Sequence, residues 1–508
     1  MIYDDIIIGA GSAGSTLAAR LTENPNRQVL LIEAGAGFTG PTPADELHGI
    51  SFALTERDWG LSATVGPDRV LDYPQGKAAG GGSAVNGGLF MRGVPADYDG
   101  WAAQGNDRWS WDELLPSLRR LEADEQFGDD DLHGGSGPIP VSRWGADQLI
   151  PLQQAFLDAV TGLGFGWSDD FNSPTSTGIG PFPMNRVGDL RVSTAIGYLG
   201  PASGRANLTV WAGCRVVRVV TAAGRATGVE VERDGAVETV PGDRVVVCAG
   251  AVQSPSLLWR SGIGPAQELR GLGIDCIVDN PAVGANLMEH AGTFLFVVPR
   301  DGVCDPAGPQ YQLGVRYTSP GSEEVFNDTL LSMLNFWDLS TSPDFQRLLG
   351  VPMVFAVTCG AHQPRSRGRV RLTSSDHAVA PTIDLNLLSD DADLRQLVEA
   401  VRLCHQVVTS PAMAPMVDRV ALVESSMFGD DEAVAAYVRS TVAPWYHISG
   451  TCRMGPSIES GAVVDQFLQV HGVEGLRVVD ASVFPMIPRA PTNLTTIAVA
   501  ERVVELGL

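Results

Sequence analysis

Three glycines near the start of the chain, Gly9, Gly11 and Gly14, have the spacing of a loop that binds the phosphates of a dinucleotide. The first permits a tight turn, the second lets backbone approach a pyrophosphate, and the third lets a helix pack closely on a strand. Glu33 lies 19 residues after Gly14, where a carboxylate can accept hydrogen bonds from a ribose. We therefore predict a dinucleotide site. The glutamate disfavours NADP, because it would repel a phosphate on the ribose, and it leaves FAD and NAD open.

A strand–helix–strand unit is needed to position this loop. Ile6 to Ile8 predicts a buried strand that runs straight into the first glycine. Ala13, Leu17 and Leu21 have helical spacing, and residues 29–32 predict a second buried strand ending at Glu33. A glycine-rich turn without a ligand is the alternative, but a strand before the loop and a helix after it favour dinucleotide binding.

The rest of the chain predicts a second, substrate-facing region. Residues 291–434 carry alternating strand candidates such as 369–372. The other predicted elements, in chain order, are proline- and glycine-rich coil over 35–93, a helix over 111–121, a small β-meander with a return strand over 207–247, a helix over 391–408, a buried strand over 476–480 and a final helix over 493–506.

A second glycine-rich segment, residues 76–87, favours a flavin. Gly80, Gly81, Gly82 and Ser83 offer backbone N–H groups without large side chains in the way, which suits a flavin ring and its phosphates. Together with five other motifs, this segment resembles the glucose-methanol-choline family of FAD-dependent oxidoreductases. Those motifs are the first glycine loop, 248–255 with 261–265, 283–290, 447–455, and 480–485 with 491–493. There is also a weaker likeness to actinobacterial members associated with the mycofactocin redox system.

The element pattern and the resemblance predict an α/β fold. It combines a Rossmann-type FAD-binding domain with a second, α+β substrate-binding domain made of an antiparallel sheet plus helices. The predicted boundaries alternate along the chain. The FAD-binding domain takes 1–145, 190–290 and 435–508, the last with the catalytic residues, and the substrate domain takes 146–189 and 291–434.

The resemblance also implies the residues that bind FAD. They are Gly9, Gly11, Ser12, Ala13, Gly14, Glu33, Ala34, Gly80, Gly81, Gly82, Ser83, Asn86, Gly87, Val216, Ala249, Gly250, Asp480, Ala481, Asn493 and Thr495. Some members attach FAD covalently through a histidine near the second glycine segment. This chain has no histidine between His48 and His133. We therefore expect FAD to be bound non-covalently.

Oxidation of an alcohol by a flavin needs a base for the hydroxyl proton, and a histidine of near-neutral pKa suits that role. Of eight histidines, the resemblance singles out His447 as the base and Asn493 as the group that holds the substrate oxygen. The alternatives are a core histidine and, for Asn493, a helix N-cap. By the same resemblance His290 is structural and stays outside the site. Trp445, Tyr446 and Phe336 are candidates for the pocket wall.

Several functions remain open at this point. The substrate is a small-molecule alcohol, and the electron acceptor is oxygen, a quinone or another redox carrier. The bulk of Trp445 beside the base favours a dehydrogenase over an oxidase. A hydroxynitrile-lyase-type enzyme that keeps FAD without redox chemistry is the alternative, since the family includes such lyases. A nucleotide-binding scaffold without turnover is disfavoured by His447 and Asn493.

Composition excludes several other classes. The 508 residues are 44% hydrophobic, with a formal charge of −24 and no basic stripe, which argues against nucleic acid as a partner. No secretion signal or ~20-residue apolar span is evident, so we expect a cytoplasmic protein without a transmembrane segment. Peripheral membrane contact stays open. The seven cysteines are scattered and the histidines and carboxylates do not cluster at ligand spacings, so we predict no disulfide framework and no metal site.

Overall fold

We describe the protein from a computed structural model, over residues 2–37, 57–66, 69–320, 322 and 326–508. The strands are β1 Tyr3–Ile8, β2 Val29–Ile32, β3 Leu61–Gly66, β4 Arg69–Tyr73, β5 Glu122–Asp124, β6 Ile139–Val141, β7 Gly178–Pro181, β8 Arg186–Val187, β9 Leu190–Arg191, β10 Leu208–Trp211, β11 Arg215–Ala222, β12 Arg225–Arg233, β13 Ala236–Val247, β14 Ile263–Gly264, β15 Val278–Asp279, β16 Ala291–Pro299, β17 Leu313–Tyr317, β18 Thr329–Asp338, β19 Met353–Ala361, β20 Arg369–Arg371, β21 Thr382–Asp384, β22 Val417–Val420, β23 Ala443–Pro444 and β24 Leu476–Val478. The helices are α1 Ser12–Leu21, α2 Gly82–Val85, α3 Pro95–Ala102, α4 Trp111–Arg120, α5 Pro151–Gly162, α6 Gly200–Ala202, α7 Gly250–Arg260, α8 Ala266–Gly271, α9 Pro343–Leu349, α10 Asp391–Val408, α11 Asp431–Thr441 and α12 Thr492–Glu505.

The first sheet is the predicted Rossmann-type sheet. Its parallel part runs in the order β10, β2, β1, β13, with β24 paired to the other side of β13. Parallel strands are covered on both faces, which is why their central strands read as continuous apolar runs. Residues 6–8 and 29–32 are buried throughout, as the sequence predicted.

The predicted β-meander over 207–247 and its return strand into the first sheet are confirmed, apart from the first segment. β13 pairs antiparallel with β12 over its first half and parallel with β1 over its second half, so a single strand joins the meander to the first sheet. The first segment of that prediction, β10, belongs to the parallel sheet beside β2 and not to the meander. Periodicity alone does not decide which sheet a short strand joins.

The second sheet is antiparallel and forms one wall of the functional cavity. Its order is β22, β16, β19, β18, β17, β7, with β23 paired to β16. The predicted helix over 391–408 is α10, which packs on this sheet through a common apolar core. The mixture of a Rossmann-type sheet with a second antiparallel sheet confirms the predicted fold class.

The glycine-rich region from 35 to 93 is more ordered than the predicted coil. β3 and β4 pair antiparallel and join β20 and β21 in a four-stranded sheet, and residues 82–85 form α2. Within this region, residues 38–56, which include His48, lie outside the described part of the chain.

No described helix combines the length and the apolar character that crossing a lipid bilayer would require.

Candidate active site

The glycine loop between β1 and α1 forms one end of a large cavity. At Gly9 the backbone is left-handed (φ +97°), and a Cβ there would lie 2.6 Å from the carbonyl oxygen of Cys248. At Gly14 a Cβ would lie 1.9 Å from the carbonyl oxygen of Gly9, so only glycine lets the helix begin this close to the loop. No side chain caps α1 at Gly11. Its first-turn N–H groups, at the positive end of the helix dipole, are therefore available to an anionic ligand.

Glu33, at the end of β2, organises the same loop. Its Oε2 accepts a hydrogen bond from the Ala10 N–H at 2.8 Å, and its Oε1 accepts one from the Gly35 N–H at 2.8 Å. Burial raises the pKa of this carboxyl, and the two N–H donors act in the opposite direction. Each carboxylate oxygen has a second lone pair, so the side chain can hold the loop and still accept a ribose hydroxyl.

The second glycine segment meets the first. Gly80 donates its N–H to the Ala10 carbonyl at 2.7 Å, and a Cβ at Gly81 would lie 2.8 Å from the Cα of Gly11. Ser83 is buried, and its hydroxyl donates to the Gly80 carbonyl at 2.6 Å. This serine therefore holds the turn of the second segment together.

Asp480 joins two further elements of the site. Its Oδ2 accepts hydrogen bonds from the Gly250 N–H at 2.9 Å and the Ser254 hydroxyl at 2.5 Å, and its Oδ1 accepts one from the Ser482 N–H at 2.8 Å. Burial raises its pKa, while these donors lower it. The carboxylate thus fixes the start of α7 against the segment that follows β24.

The cavity has a volume of about 870 Å³, within the ~300–1,000 Å³ typical of ligand pockets. The predicted cofactor residues that line it are Gly9, Gly11, Ser12, Ala13, Glu33, Ala34, Gly81, Gly82, Asn86, Gly87, Val216, Ala249, Gly250, Asp480, Ala481 and Asn493. Gly14, Gly80, Ser83 and Thr495 do not line it. Gly14, Gly80 and Ser83 contribute to the backbone geometry of the two glycine turns.

Thr495 is the clearest correction among the predicted cofactor residues. Its side chain is buried, and its hydroxyl shares a hydrogen bond of 2.9 Å with the hydroxyl of Tyr98. Thr492 and Thr496, on the neighbouring face of α12, line the cavity instead. Residues four apart lie on one side of a helix, and Thr495 falls outside that side.

His447 lies in the loop after β23 and lines the same cavity as Glu33. Its backbone N–H donates to Oε1 of Glu289 at 2.7 Å, and its Nδ1 lies 2.9 Å from Nδ1 of His290. His447 lines the cavity, and its Nδ1 is the ring nitrogen that His290 engages. Burial lowers the pKa of His447 to about 3, so the ring is neutral at physiological pH. Burial also raises the pKa of Glu289 to about 8, against the lowering effect of its donors.

His290, to which the resemblance assigns a structural role outside the site, does not line the cavity but contacts His447. Its buried ring stacks on His362, with ring centres 4.3 Å apart, and lies edge to face with His447. His362 in turn lies edge to face with Trp445. The pKa values of His290 and His362 are lowered, first by burial and then by the neighbouring histidines of the cluster. The motif Glu289-His290 was visible in the sequence, but nothing in it indicated a contact 157 residues away.

Asn493 lies in the first turn of α12, where the helix meets α1. The N-cap is Pro491 and the helix begins at Thr492, so Asn493 is not the N-cap. Its Oδ1 accepts a hydrogen bond from the Ser12 hydroxyl at 2.7 Å. Its Nδ2 is buried without a protein partner. An unsatisfied buried donor at a cavity wall points to a ligand acceptor.

The three predicted wall residues, Trp445, Tyr446 and Phe336, all line the cavity. Trp445 occupies a slot made by two glycines on neighbouring strands. A Cβ at Gly292 would lie 2.0 Å from its Nε1, and a Cβ at Gly360 would lie 2.7 Å from its Cη2. The two glycines therefore decide where the indole lies. Tyr446 has a left-handed backbone (φ 65°).

Away from the cavity, folding collects a cluster that the sequence spacing did not indicate. Glu122, Asp124 and His133 come within metal-ligand distance of one another in the described structure. Three buried carboxylates and three cationic groups form the whole network: Glu122, Asp124 and Asp170 with Arg92, Arg143 and His133. Burial would lower the pKa of His133, but hydrogen bonds to the carboxylates outweigh it and raise the pKa to about 9. The charges compensate one another, which identifies a structural ion network.

These features fit a bound FAD. Two glycine turns that approach within van der Waals distance, an uncapped helix N-terminus and a buried carboxylate match the needs of the nucleotide half. Asn493, with its unpartnered Nδ2, and His447 line the same cavity. The residues present are therefore compatible with the cofactor and with a reaction beside it.

Comparison with known proteins agrees with this site. Family models described as GMC oxidoreductase match residues 3–292 and 364–500. The chain is 34% identical to 5-(hydroxymethyl)furfural oxidase from Methylovorus sp. (strain MP688), over 99% of this chain and 98% of that protein. It is 33% identical to an oxygen-dependent choline dehydrogenase from Photobacterium profundum, over 98% and 92% of the two chains. The crystal structure of pyridoxine 4-oxidase from Mesorbium loti has a TM-score of 0.91, with 29% identity and 99% of each chain covered.

The first family model alone spans more than half of the 508 residues, and the relatives match over almost the full length. The fold with two sheets, the two glycine turns and the cavity between them agree with that match. The chain therefore belongs to the GMC oxidoreductase family of FAD-dependent flavoproteins.

Proposed function

We propose that this protein oxidises an alcohol to an aldehyde or ketone, with non-covalently bound FAD, His447 as the general base and Asn493 as the donor to the substrate oxygen. One observation carries the proposal. A neutral histidine with one ring nitrogen engaged by His290 and an asparagine with an unpartnered Nδ2 line the same cavity. The first can accept a hydroxyl proton, and the second can hold the oxygen that loses it.

The residues divide the reaction between them. FAD, held by the two glycine turns and Glu33, would accept the hydride that leaves the carbinol carbon. Nε2 of His447 takes the hydroxyl proton, and its backbone is fixed by Glu289. Nδ2 of Asn493 donates to the substrate oxygen, while its Oδ1 stays bonded to Ser12 and keeps the amide oriented. Loss of the hydroxyl proton and of the hydride would leave a neutral carbonyl product, with the positive charge on His447 balanced by the negative charge that the flavin would gain.

The relatives named above support an alcohol as substrate, and two of their names contain the word oxidase. The bulk of Trp445 beside His447 supports a dehydrogenase. Two measurements distinguish an oxidase, a dehydrogenase and a lyase. Anaerobic mixing with alcohols should bleach the flavin spectrum, and air or a quinone added afterwards should restore it at different rates. Release of an aldehyde from a cyanohydrin without bleaching would instead support the lyase alternative.

Non-covalent attachment is proposed because the sequence between His48 and His133 has no histidine to form a tether. Acid precipitation of the purified protein should release intact FAD into the supernatant. Flavin that stays with the denatured chain would contradict this part of the proposal while leaving the redox function unaffected.

A further inference from the structure

We infer that the substrate is an uncharged alcohol with an apolar or aromatic body, rather than a quaternary ammonium alcohol such as choline or a sugar. This inference rests on the proposed function and concerns the cavity wall near the proposed catalytic residues, His447 and Asn493. It sets the chain apart from the choline dehydrogenases to which it is similar.

The antiparallel sheet builds this wall in rows across its strands. In the first row Gly292 and Gly360 leave room for Trp445. In the second row Thr358 lies opposite both Phe294 on β16 and Ser332 on β18. All three side chains of the second row line the cavity.

Along β18 the wall becomes more apolar. Leu330, Ser332, Leu334 and Phe336 alternate along the strand, and all of them line the cavity. Alternate residues of a strand share one face, so these side chains form a continuous surface. Trp337, beside a register shift, closes its outer end.

Two hydroxyl groups of this wall are paired with each other. The hydroxyls of Ser332 and Thr358 lie 2.8 Å apart and bond to each other. A sugar would need several donors and acceptors that are free to bond its hydroxyl groups, because unpaired buried polar groups cost binding energy. The paired hydroxyls therefore disfavour a polyhydroxylated substrate.

The wall also has no buried anion for a cation. Among the described lining residues at this end, the one carboxylate is Asp338, which is exposed and accepts a hydrogen bond from the Ser340 N–H. Glu289 lies behind the catalytic loop with its oxygens bonded to Tyr73 and to the His447 backbone. Burying an ammonium group without an anion is costly.

Aromatic rings can replace an anion when several ring faces surround a cation. Here the rings face one another. Phe294 and Phe296 each lie edge to face with Trp337 at 5.7 Å, and Tyr446 lies edge to face with Tyr73 at 5.4 Å. Phe294, Trp337 and Tyr446 line the cavity, so these rings add apolar surface to its wall.

A matched pair of alcohols isolates charge from shape. Choline and 3,3-dimethylbutan-1-ol differ only in the charged nitrogen, and the FAD-loaded enzyme should have a kcat/KM for the neutral alcohol at least about tenfold higher. Benzyl alcohol should also exceed choline, and glucose should fall below both neutral alcohols. A preference for choline or glucose would overturn the inference. If no alcohol of any class bleaches the flavin, the proposed function fails instead.

Two further measurements test the inference, one of ligand binding without turnover and one of a matched pair of variants. Toluene should perturb the flavin spectrum at lower concentration than tetramethylammonium, and the reverse order would contradict the inference. Phe336 is half-buried and lines the cavity. Phe336→Glu should raise the choline preference about tenfold, and the matched Phe336→Gln should not; equal effects of both variants would count against an uncharged pocket.

A second inference comes from a different observation, the contact of 2.9 Å between Nδ1 of His290 and Nδ1 of His447. We propose that His290 is a positioning residue that sets the tautomer of His447. Two Nδ1 atoms at this distance cannot both donate. For Nε2 of His447 to accept a proton, Nδ1 of His447 must carry the hydrogen and Nδ1 of His290 must accept it.

The same contact stabilises the product of proton transfer. Once His447 is protonated, its Nδ1–H is a charged donor to the lone pair of His290, and charge-assisted bonds are the stronger ones. His290 thus takes the place that a carboxylate occupies in a Ser-His-Asp triad. Its stack on His362 holds the ring in plane.

Variants that keep or move the acceptor test this role. His290→Asn places a carbonyl oxygen near the Nδ1 position, whereas His290→Leu removes the acceptor. His290→Leu should slow anaerobic flavin reduction about tenfold to a hundredfold and move the acid limb of its pH profile, with FAD retained. His290→Asn should recover most of the rate and the wild-type profile. Equal rates and equal profiles in the Leu and Asn variants would overturn the inference, even if both are slow.

Discussion

The two ends of the cavity are held together in different ways. At the nucleotide end, backbone groups make the contacts, and Glu33 bonds Ala10 and Gly35, both within 23 residues along the chain. At the catalytic end, side chains make the contacts, and His447 meets His290 across 157 residues. The structure of the nucleotide end depends on glycines, which have no side chain. The structure of the catalytic end depends on how aromatic and histidine rings pack against one another.

This difference predicts different responses to substitution. Changes at the nucleotide end should lower the affinity for the cofactor. The backbone N–H groups and Glu33 at this end take no part in the transfer of the proton or the hydride. Changes at the catalytic end should act on rate with the cofactor still bound, because the rings around His447 lie in a separate cluster. The following tests are ordered from the largest expected effect.

His447→Ala should lower the rate of anaerobic flavin reduction by about 10²–10⁴, the range for a positioned general base, with FAD retained. In the wild type the rate should stay flat as the pH falls from 8 to about 5, because burial keeps the ring neutral. His377→Ala, at a surface histidine that pairs with Glu232, is the matched control and should react at the wild-type rate. A folded, FAD-loaded His447→Ala protein of undiminished rate would end the catalytic assignment.

Gly360→Ala tests whether the slot positions Trp445. The added Cβ would come within 2.7 Å of the indole and must displace it, and a shift of about 1 Å beside a reacting group can cost about 10²-fold in rate. We expect kcat/KM to fall about tenfold to a hundredfold, measured on protein with full FAD content. Gly429→Ala, where a Cβ meets nothing within 4 Å, should behave as wild type. An unchanged kcat/KM in Gly360→Ala would show that the indole position does not matter.

Glu33→Ala tests the nucleotide end of the cavity. Loss of a charge-assisted contact should cost about 1.5–3 kcal/mol, or roughly tenfold to a hundredfold in FAD affinity, measured by titration of apoprotein with FAD. Glu33→Gln keeps one acceptor oxygen and should have an intermediate effect. In both variants, once saturated with FAD, the rate of flavin reduction should be close to the wild-type rate. A large loss of rate at full saturation would show that the two ends are coupled.

The smallest effect concerns acid stability at the catalytic end. Burial lowers the pKa of His362 to about 3, so the folded chain resists the proton that the unfolded chain binds below about pH 6.5. This histidine's contribution is present above that pH and is lost as the pH falls toward 3, by about 1.4 kcal/mol per pH unit. His362→Asn should therefore reduce the fall in melting temperature between pH 7 and pH 5. The same fall in wild type and variant would contradict this assignment.

The sequence determined those features whose cause is local. The strand before the first glycine, the helix after it and Glu33 at the next strand end follow from residues within one βαβ unit, and α10 begins and ends where its periodicity predicted. The resemblance to the family identified His447 and Asn493 as site residues, and both line the cavity.

Only the tertiary structure decided what surrounds those groups. The contact of His290 with His447, the slot for Trp445 and the bond between Ser12 and Asn493 join residues that are far apart in the chain, up to 481 positions for the last pair, and no spacing in the sequence encodes them. Helix phase decided that Thr496 and not Thr495 faces the cavity. The physical reason is that side-chain packing between distant elements depends on sheet register and crossover, whereas glycine turns and helix ends depend on their own few residues.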